Sequence, residues 1–273
     1  MQNSKYEKLK EILGTMENLV VAYSGGTDSS LLLKVAHDIL GDKVLAMTAV
    51  SASLPADERA EAEQIARQIG AKHVLVDSEE TSNLDYLANT PNRCFFCKKE
   101  TFEKLTAYAR QHGFQAIADG TNADDTGDYR PGRQAASEYA VRSPLLEAGF
   151  TKAEIRQLAR ELGLLNWDKP AAACLSSRIP YGTTITMEAL SQVERAEAVL
   201  HGLGLRQIRV RHHGQVARIE TEPADFTVLL EHRNEMVSAL KAIGYAYVTL
   251  DLAGFRSGSM NEVLQNGSLD KTA

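Results

Sequence analysis

The sequence predicts an α/β protein, a doubly wound parallel sheet followed by a second, smaller α+β domain. Three observations lead there. Four short apolar runs suited to buried strands alternate with stretches of helical period. The first run opens directly into a glycine-containing turn and a helix. Past about residue 166 the alternation stops, and the order becomes helix, two strands, helix, strand.

An amphipathic helix over Tyr6 to Leu13 precedes the apolar run Leu19 to Ala22, which reads as a buried strand. A helix follows from about Asp28 to Leu40, then a strand at Val44 to Val50 and a helix at Ala56 to Ile69 that ends at Gly70. The next strand is Val74 to Val76, followed by a helix from about Phe95 to Gln111 stopped at Gly113, and a fourth strand at Ala116 to Ala118. Parallel strands joined through helices place ligands at their carboxyl ends. Thr121 to Gly149, rich in Gly, Asp and Pro, reads as a long irregular segment over those ends. A helix at Lys152 to Leu162 leads into an irregular junction, Asn166 to Gly182. The second domain then reads as helix Met187 to Leu203, strands Gln207 to His212 and Val216 to Thr221, helix Phe226 to Ile243 and strand Tyr245 to Leu250. The expected division is 1–165, 166–264 and a polar, disordered tail at 265–273.

Composition narrows the function. The chain has 273 residues, 44% apolar and 24% charged, enough for two cores. Thirty Lys and Arg against 36 Asp and Glu leave a net charge of −6, which argues against a broad basic surface for nucleic acid but allows a local arginine cluster for a small anion. The polar, helical amino terminus reads as neither a secretory signal nor a membrane span, so the expected compartment is the cytoplasm, with no membrane partner. Three cysteines, an odd number, read as ligands or reactive thiols rather than as a disulfide framework.

The segment VVAYSGGTDSS, Val20 to Ser30, places Ser24, Gly25, Gly26 and Thr27 between a buried strand and a helix start. Glycines allow the turn and a close approach to a ligand. The helix start offers unpaired N–H groups and partial positive charge, and the hydroxyls of Ser24, Thr27 and Ser29 add donors. An ordinary strand-to-helix turn is the plain alternative, but the position after the first strand favours an anion site. The Gly-Lys-Ser/Thr ending of the Walker loop is missing, as is the third glycine of the dinucleotide fingerprint. Asp28 reads either as a helix cap or as a residue near Mg²⁺ and phosphates. DGTNADD, Asp119 to Asp125, follows the fourth strand into the same cleft. Asp124 and Asp125 are candidate magnesium ligands or simply solvated acids, and Lys98 either balances phosphate charge or faces solvent.

Cys94 and Cys97 form a CFFC pair, and Cys174 stands far away in sequence. Structural zinc lacks a fourth ligand here, and a redox CxxC lacks its thioredoxin-like surroundings. A 4Fe–4S cluster on three thiolates, structural zinc and free thiols all stay open from spacing alone. In the second domain Arg209 and Arg211 alternate with Ile208 and Val210, so both guanidinium groups leave one face of a strand, either toward an anion or into surface salt bridges.

SGGTDSS resembles the PP-loop of ATP pyrophosphatases, which break ATP between its α and β phosphates. Together with DYRPGRQAASE from Asp128 to Glu138, SSRIPYGTT from Ser176 to Thr184, RVRHH from Arg209 to His213 and TLDLAGFRSGSMN from Thr249 to Asn261, it resembles the LarE family over about Leu9 to Leu264. These are ATP-dependent sulfur transferases serving the nickel-pincer nucleotide cofactor of lactate racemase. The resemblance implies that ATP with Mg²⁺ adenylylates a carboxylate of a pyridinium dicarboxylate mononucleotide, and that sulfur then displaces AMP. With it go expected ATP binding by Ser24, Gly25, Gly26, Thr27, Asp28 and Ser29 and chemistry at Asp28 and Cys174, beside the phosphate counter-charge read for Lys98, and the resemblance implies substrate phosphate on Arg209, Arg211 and Arg256. One kind of family member sacrifices the sulfur of a single cysteine matching Cys174. The other adds a CxxC and is thought to hold a 4Fe–4S cluster carrying sulfide, and Cys94 with Cys97 resembles that kind. The expected partners are this nucleotide, a sulfide donor and further copies of the chain. The rivals are a cluster-dependent tRNA thiolase, an amidotransferase-like synthetase, and a non-catalytic adenine-nucleotide sensor with structural zinc.

Overall fold

The structure, a computed structural model, describes residues 2–127, 132–170, 173–256 and 258–265. In chain order its main elements are α1 (Gln2–Gly14), β1 (Leu19–Ala22), α2 (Thr27–Leu40), β2 (Val44–Val50), α3 (Ala56–Ile69), β3 (Lys72–Asp77), α4 (Leu84–Leu87), α5 (Arg93–Gln111), β4 (Ala116–Ala118), α6 (Gly132–Glu138), α7 (Pro144–Ala148), α8 (Lys152–Glu161), α9 (Met187–Gly202), β5 (Ile208–His213), β6 (Val216–Thr221), α10 (Phe226–Glu231), α11 (Arg233–Ile243), β7 (Tyr247–Leu250) and α12 (Glu262–Gln265). No described helix is long and apolar enough to cross a membrane.

The chain folds into two compact units. The first comprises Met1–Ser51, Ala56–Glu80 and Cys94–Ala172. Its four strands are all parallel in the order β3-β2-β1-β4. Strand period explains how both faces are covered. Leu19, Val21, Val44 and Ala46 join one core with Leu31, Leu32, Val35, Ile65 and Ile155, from α2, α3 and α8. The alternate residues Val20, Leu45 and Met47 join a separate core with Leu105 and Ala109 of α5. Helices therefore pack on both faces, as a doubly wound sheet requires. Because β1 lies between β2 and β4, the order reverses beside it, and the loops leaving β1 and β4 meet at one sheet edge.

Two expectations need correction here. The stretch from Thr121 to Gly149 is not wholly irregular, since α7 begins with Pro144 at its first position and stops at Gly149 with φ +79. A parallel bridge from Ala118 to Arg142 also continues the sheet just before it. In the second unit, the helix expected from Phe226 to Ile243 is two helices meeting at His232 (φ −93, ψ 12). Neither Gly nor Pro stands there, so local signals carried no mark of the break.

The second unit comprises Ala52–Pro55, Thr81–Arg93 and Ala173–Ala273. A division at 165/166 leaves the segment Thr81–Arg93 with the first domain, whereas its contacts lie with residues 176–185. The Asn89 amide donates to the carbonyls of Ile179, Pro180 and Thr183, the Tyr86 hydroxyl meets Ser176 Oγ at 2.5 Å, and Ile185 N–H reaches the Leu87 carbonyl. The three-stranded sheet runs β5-β6-β7, antiparallel and then parallel. Its core joins Ile208, Val210, Ala217 and Ile219 to Leu200 of α9 and Leu240 of α11. Of the tail expected to be disordered, 265–273, Gln265 ends α12 and the rest lies outside the described residues, as do residues 128–131.

Candidate functional site

The turn between β1 and α2 is built for close packing. Gly25 has φ +74, and a Cβ there would lie 2.6 Å from Ala62 Cβ on α3, so only glycine fits both the conformation and the space. Gly26 is the α2 N-cap, and its carbonyl accepts from Ser30 N–H at 3.0 Å. The hydroxyls of Ser24 and Ser29 face each other at 3.2 Å, and Ser29 Oγ also donates to the Gly26 carbonyl. Thr27 spends its hydroxyl on the Asn166 carbonyl at 2.8 Å. What Thr27, Asp28 and Ser29 offer a ligand is their first-turn N–H groups, which have no partner within the helix.

Asp28 sits in that first turn. Lys152, the first residue of α8, places Nζ 2.5 Å from Asp28 Oδ1, and Asn122 Nδ2 lies 3.4 Å from Oδ2. Burial pushes the Asp28 carboxyl above its ordinary value, opposed by Lys152 and more weakly by Arg156, and reinforced by Asp125. The loop after β4 lies directly against this turn, since a Cβ on Gly120 would stand 2.8 Å from Ser29 N. Within that loop, Asp119 accepts from Thr121 and Ser143, Asp124 Oδ2 accepts from Lys152 N–H at 2.8 Å, and Asp125 Oδ2 accepts from Asn122 N–H at 3.0 Å. Asp124 and Asp125 thus shape the loop and the start of α8. Among the described residues no group of three or more His, Cys, Asp or Glu is arranged to hold a metal ion. Magnesium takes only one or two carboxylates and completes its shell with phosphate and water, so it needs no such group.

Cys94 and Cys97 are the second and fifth residues of α5, three residues apart and so on one face, with Cys94 exposed and Cys97 half-buried. Lys98 Nζ stands 5.6 Å from the Phe102 ring centroid, and its stem lies against Gly132. These residues belong to the first unit, whereas Cys174 belongs to the second. There Cys174 precedes a short 3₁₀ turn, Leu175–Arg178, and its carbonyl accepts from Ser177 N–H and from Arg178 Nη1 at 3.0 Å. Arg178 is itself locked in a buried two-bond pair with Glu197 at 2.9 and 2.8 Å. None of the three cysteines is in a disulfide, and thiolate sulfur is the donor type that iron–sulfur clusters require.

The arginines of β5 separate in character. Arg211 is buried, with Nη2 2.6 Å from the fully buried Glu220 carboxylate and 2.9 Å from Ser259 Oγ, and Nη1 on the Ser177 carbonyl. Arg209 stacks its guanidinium 5.3 Å from the Phe255 ring centroid. Arg256 is exposed and pairs with Glu262 at 3.0 Å. Arg218, facing Arg211 across the strands, bonds both Glu220 and Asp251. Four further residues bear on the loop, Lys152, Arg156, Asn122 and Asn166, and none carries a local sequence signal beyond its type.

The asparagine synthase family matches residues 14–161. The chain is similar along nearly its whole length to the pyridinium-3,5-bisthiocarboxylic acid mononucleotide synthase of Lactiplantibacillus plantarum, at 41% identity over 97% of each chain. It is 47% identical to an uncharacterised protein of Synechocystis, over 97% of this chain and 99% of that one. A tRNA-specific 2-thiouridylase of Heliobacterium modesticaldum is 31% identical over 56% of this chain and 50% of its own.

Proposed function

Since the chain belongs to the LarE family of PP-loop sulfurtransferases, we propose that it converts the carboxylates of pyridinium-3,5-biscarboxylic acid mononucleotide to thiocarboxylates at the expense of ATP. The observation carrying this reading is the likeness over 97% of both chains to a protein named for that product. A carboxylate oxygen attacks the α phosphorus of ATP, and pyrophosphate departs with the bond's electrons. The acyl-adenylate then exchanges AMP for sulfur, since AMP leaves where oxide cannot. The N–H groups of the Ser24–Ser29 loop and of the first turn of α2 receive the departing pyrophosphate, whose charge they stabilise as it builds. Asp28 is the residue that would hold Mg²⁺, with Asp124 and Asp125 as further candidates. Mg²⁺ supplies charge neutralisation on the phosphates. Lys98 is proposed as a charge partner for the phosphates, and Arg209, Arg211 and Arg256 as the anchor for the substrate's own phosphate.

Cys94, Cys97 and Cys174 would hold a 4Fe–4S cluster, which when bound supplies the sulfide for transfer. Three cysteines outside disulfides support this, as does the presence of the CxxC. A homo-oligomer in the cytoplasm completes the reading. The exposed Leu230, Tyr247 and Leu252 of the second unit support the oligomer.

The test is anaerobic turnover with the pyridinium dicarboxylate nucleotide, ATP, Mg²⁺ and sulfide, following pyrophosphate and the mass of the product. Pyrophosphate release that requires the nucleotide, with sulfur replacing oxygen, supports the reading. Release that requires tRNA instead would transfer the protein to the thiolase class, to which its likeness spans only about half the chain.

A further inference from the structure

Asn166 lies past the end of α8, in a segment with no helical or strand period, yet it is 3% exposed and belongs to the same unit as the nucleotide loop. Its side-chain nitrogen donates to the Gly25 carbonyl at 2.9 Å and to Ser30 Oγ at 2.9 Å. Its main-chain carbonyl accepts the Thr27 hydroxyl at 2.8 Å. One residue thereby grips the turn before α2, its first residue and its fourth. The amide orientation follows from chemistry, because a carbonyl only accepts and so the NH₂ end must face Gly25. The other end, Oδ1, is buried with no partner among the described residues. The buried amide thus serves the Gly25 carbonyl and Ser30 Oγ while its own acceptor stays unpaired, so its two donors to the turn are what the residue contributes.

We propose that Asn166 is the positioning residue of the nucleotide loop. By drawing the Gly25 carbonyl and the Thr27 hydroxyl inward, it keeps those oxygens away from the ligand. The N–H groups at the start of α2 are then the polar atoms left facing the phosphates. An inverted Gly25 peptide would present a carbonyl oxygen to pyrophosphate, replacing attraction with repulsion. The Gly25–Ala62 contact restricts the loop from the other side, since no side chain fits between them. The inference rests on the proposed use of ATP, and it assigns Asn166 no contact with the nucleotide.

The test measures MgATP affinity directly by calorimetry, and the ATP KM and kcat of pyrophosphate release, in the parent, Asn166→Ala and Asn166→Asp. The alanine variant is expected to weaken ATP binding by about tenfold or more, raising KM while saturated kcat falls less. The aspartate variant is expected to be worse near neutral pH, where its carboxylate cannot donate to Gly25 and repels phosphate. It should recover affinity on acidification, because a protonated carboxyl donates one hydrogen. Tyr23, whose hydroxyl shares Ser30 Oγ, stays neutral throughout because burial pushes it up to about 12. A purely structural role would lower melting temperature and active fraction while leaving KM and its pH response unchanged. Parent-like ATP affinity in the alanine variant, or no recovery of the aspartate variant in acid, would overturn the assignment. Thr27→Val and Ser30→Ala each remove one arm of the grip and keep the test decisive if the Asn166 variants do not fold. Both should weaken ATP binding less than Asn166→Ala is expected to, and parent-like affinity in both would equally overturn it. A parent that binds no MgATP would instead defeat the proposed function, and this inference with it.

Discussion

Lys152 Nζ lies 2.5 Å from Asp28 Oδ1, so the helix that follows the nucleotide loop carries its first-turn carboxylate already matched by a cation from α8. Asp28 is not the helix cap, a place that Gly26 takes, and Asp28→Ala is expected to abolish ATP-dependent pyrophosphate release while circular dichroism stays native. Release at the parent rate would remove Asp28 from the phosphate chemistry.

Gly25→Ala should be damaging for two separable reasons. The left-handed backbone disfavours a side chain by about 1–2 kcal/mol, and the new methyl collides with Ala62. Ala62→Gly added to Gly25→Ala removes the methyl contact but keeps the Ala62 Cα at 2.9 Å and the left-handed backbone, so chemical denaturation should show partial recovery. Full recovery, or none, would contradict this division.

The three arginines are expected to respond differently. Arg209→Ala and Arg256→Ala should weaken binding of the pyridinium nucleotide by about 1.5–3 kcal/mol each while stability stays near the parent. Arg211→Ala should also destabilise the fold by about 3 kcal/mol, because Glu220 would stay buried with only Arg218 and Ser259 facing it. Urea denaturation beside substrate titration checks the contrast, and equal stability of all three variants would count against it.

Cys94→Ala, Cys97→Ala and Cys174→Ala are expected to lose iron and sulfur transfer together and to retain adenylylation, because the nucleotide loop uses none of them. Multiple turnovers with supplied sulfide, and an unmodified Cys174 by mass spectrometry afterwards, should accompany this. Dehydroalanine at position 174 in an iron-free anaerobic preparation would favour the sacrificial mechanism instead.

Acid should weaken the fold through histidines held neutral. Burial pushes His73 below its ordinary value of 6.5, with Glu63 opposing and Arg67 reinforcing, and burial also lowers His212 and His213. Below 6.5 the unfolded chain binds protons that the folded chain refuses, so this stability is complete above 6.5 and declines as pH falls toward the folded values. Thr48 donates to the Tyr23 carbonyl and so accepts from His73 Nε2–H, a bond that a glutamine amide can replace. Melting temperature against pH should therefore fall less steeply in His73→Gln than in the parent. An identical slope would assign the effect to His212 and His213.

The sequence by itself determined the parts governed by local period and local chemistry. Alternation along β1 and β2 divides Leu19 and Val21 from Val20, and Val44 and Ala46 from Leu45 and Met47. That requires helices on both faces. The glycines and hydroxyls of the loop gave the expectation of an anion site, and the family's motifs gave the family. Tertiary structure alone decided which distant residues complete the loop. Asn166 bonds Gly25 across 141 positions, Lys152 bonds Asp28 across 124, and the segment Thr81–Arg93 joins the unit of residues 176–185. It also decided that Arg211 is held by a buried glutamate while Arg256 stays at the surface. The reason is physical. Helical and strand periods report only which face of an element is buried, whereas a hydrogen bond between remote segments depends on how the packed core brings their backbones together.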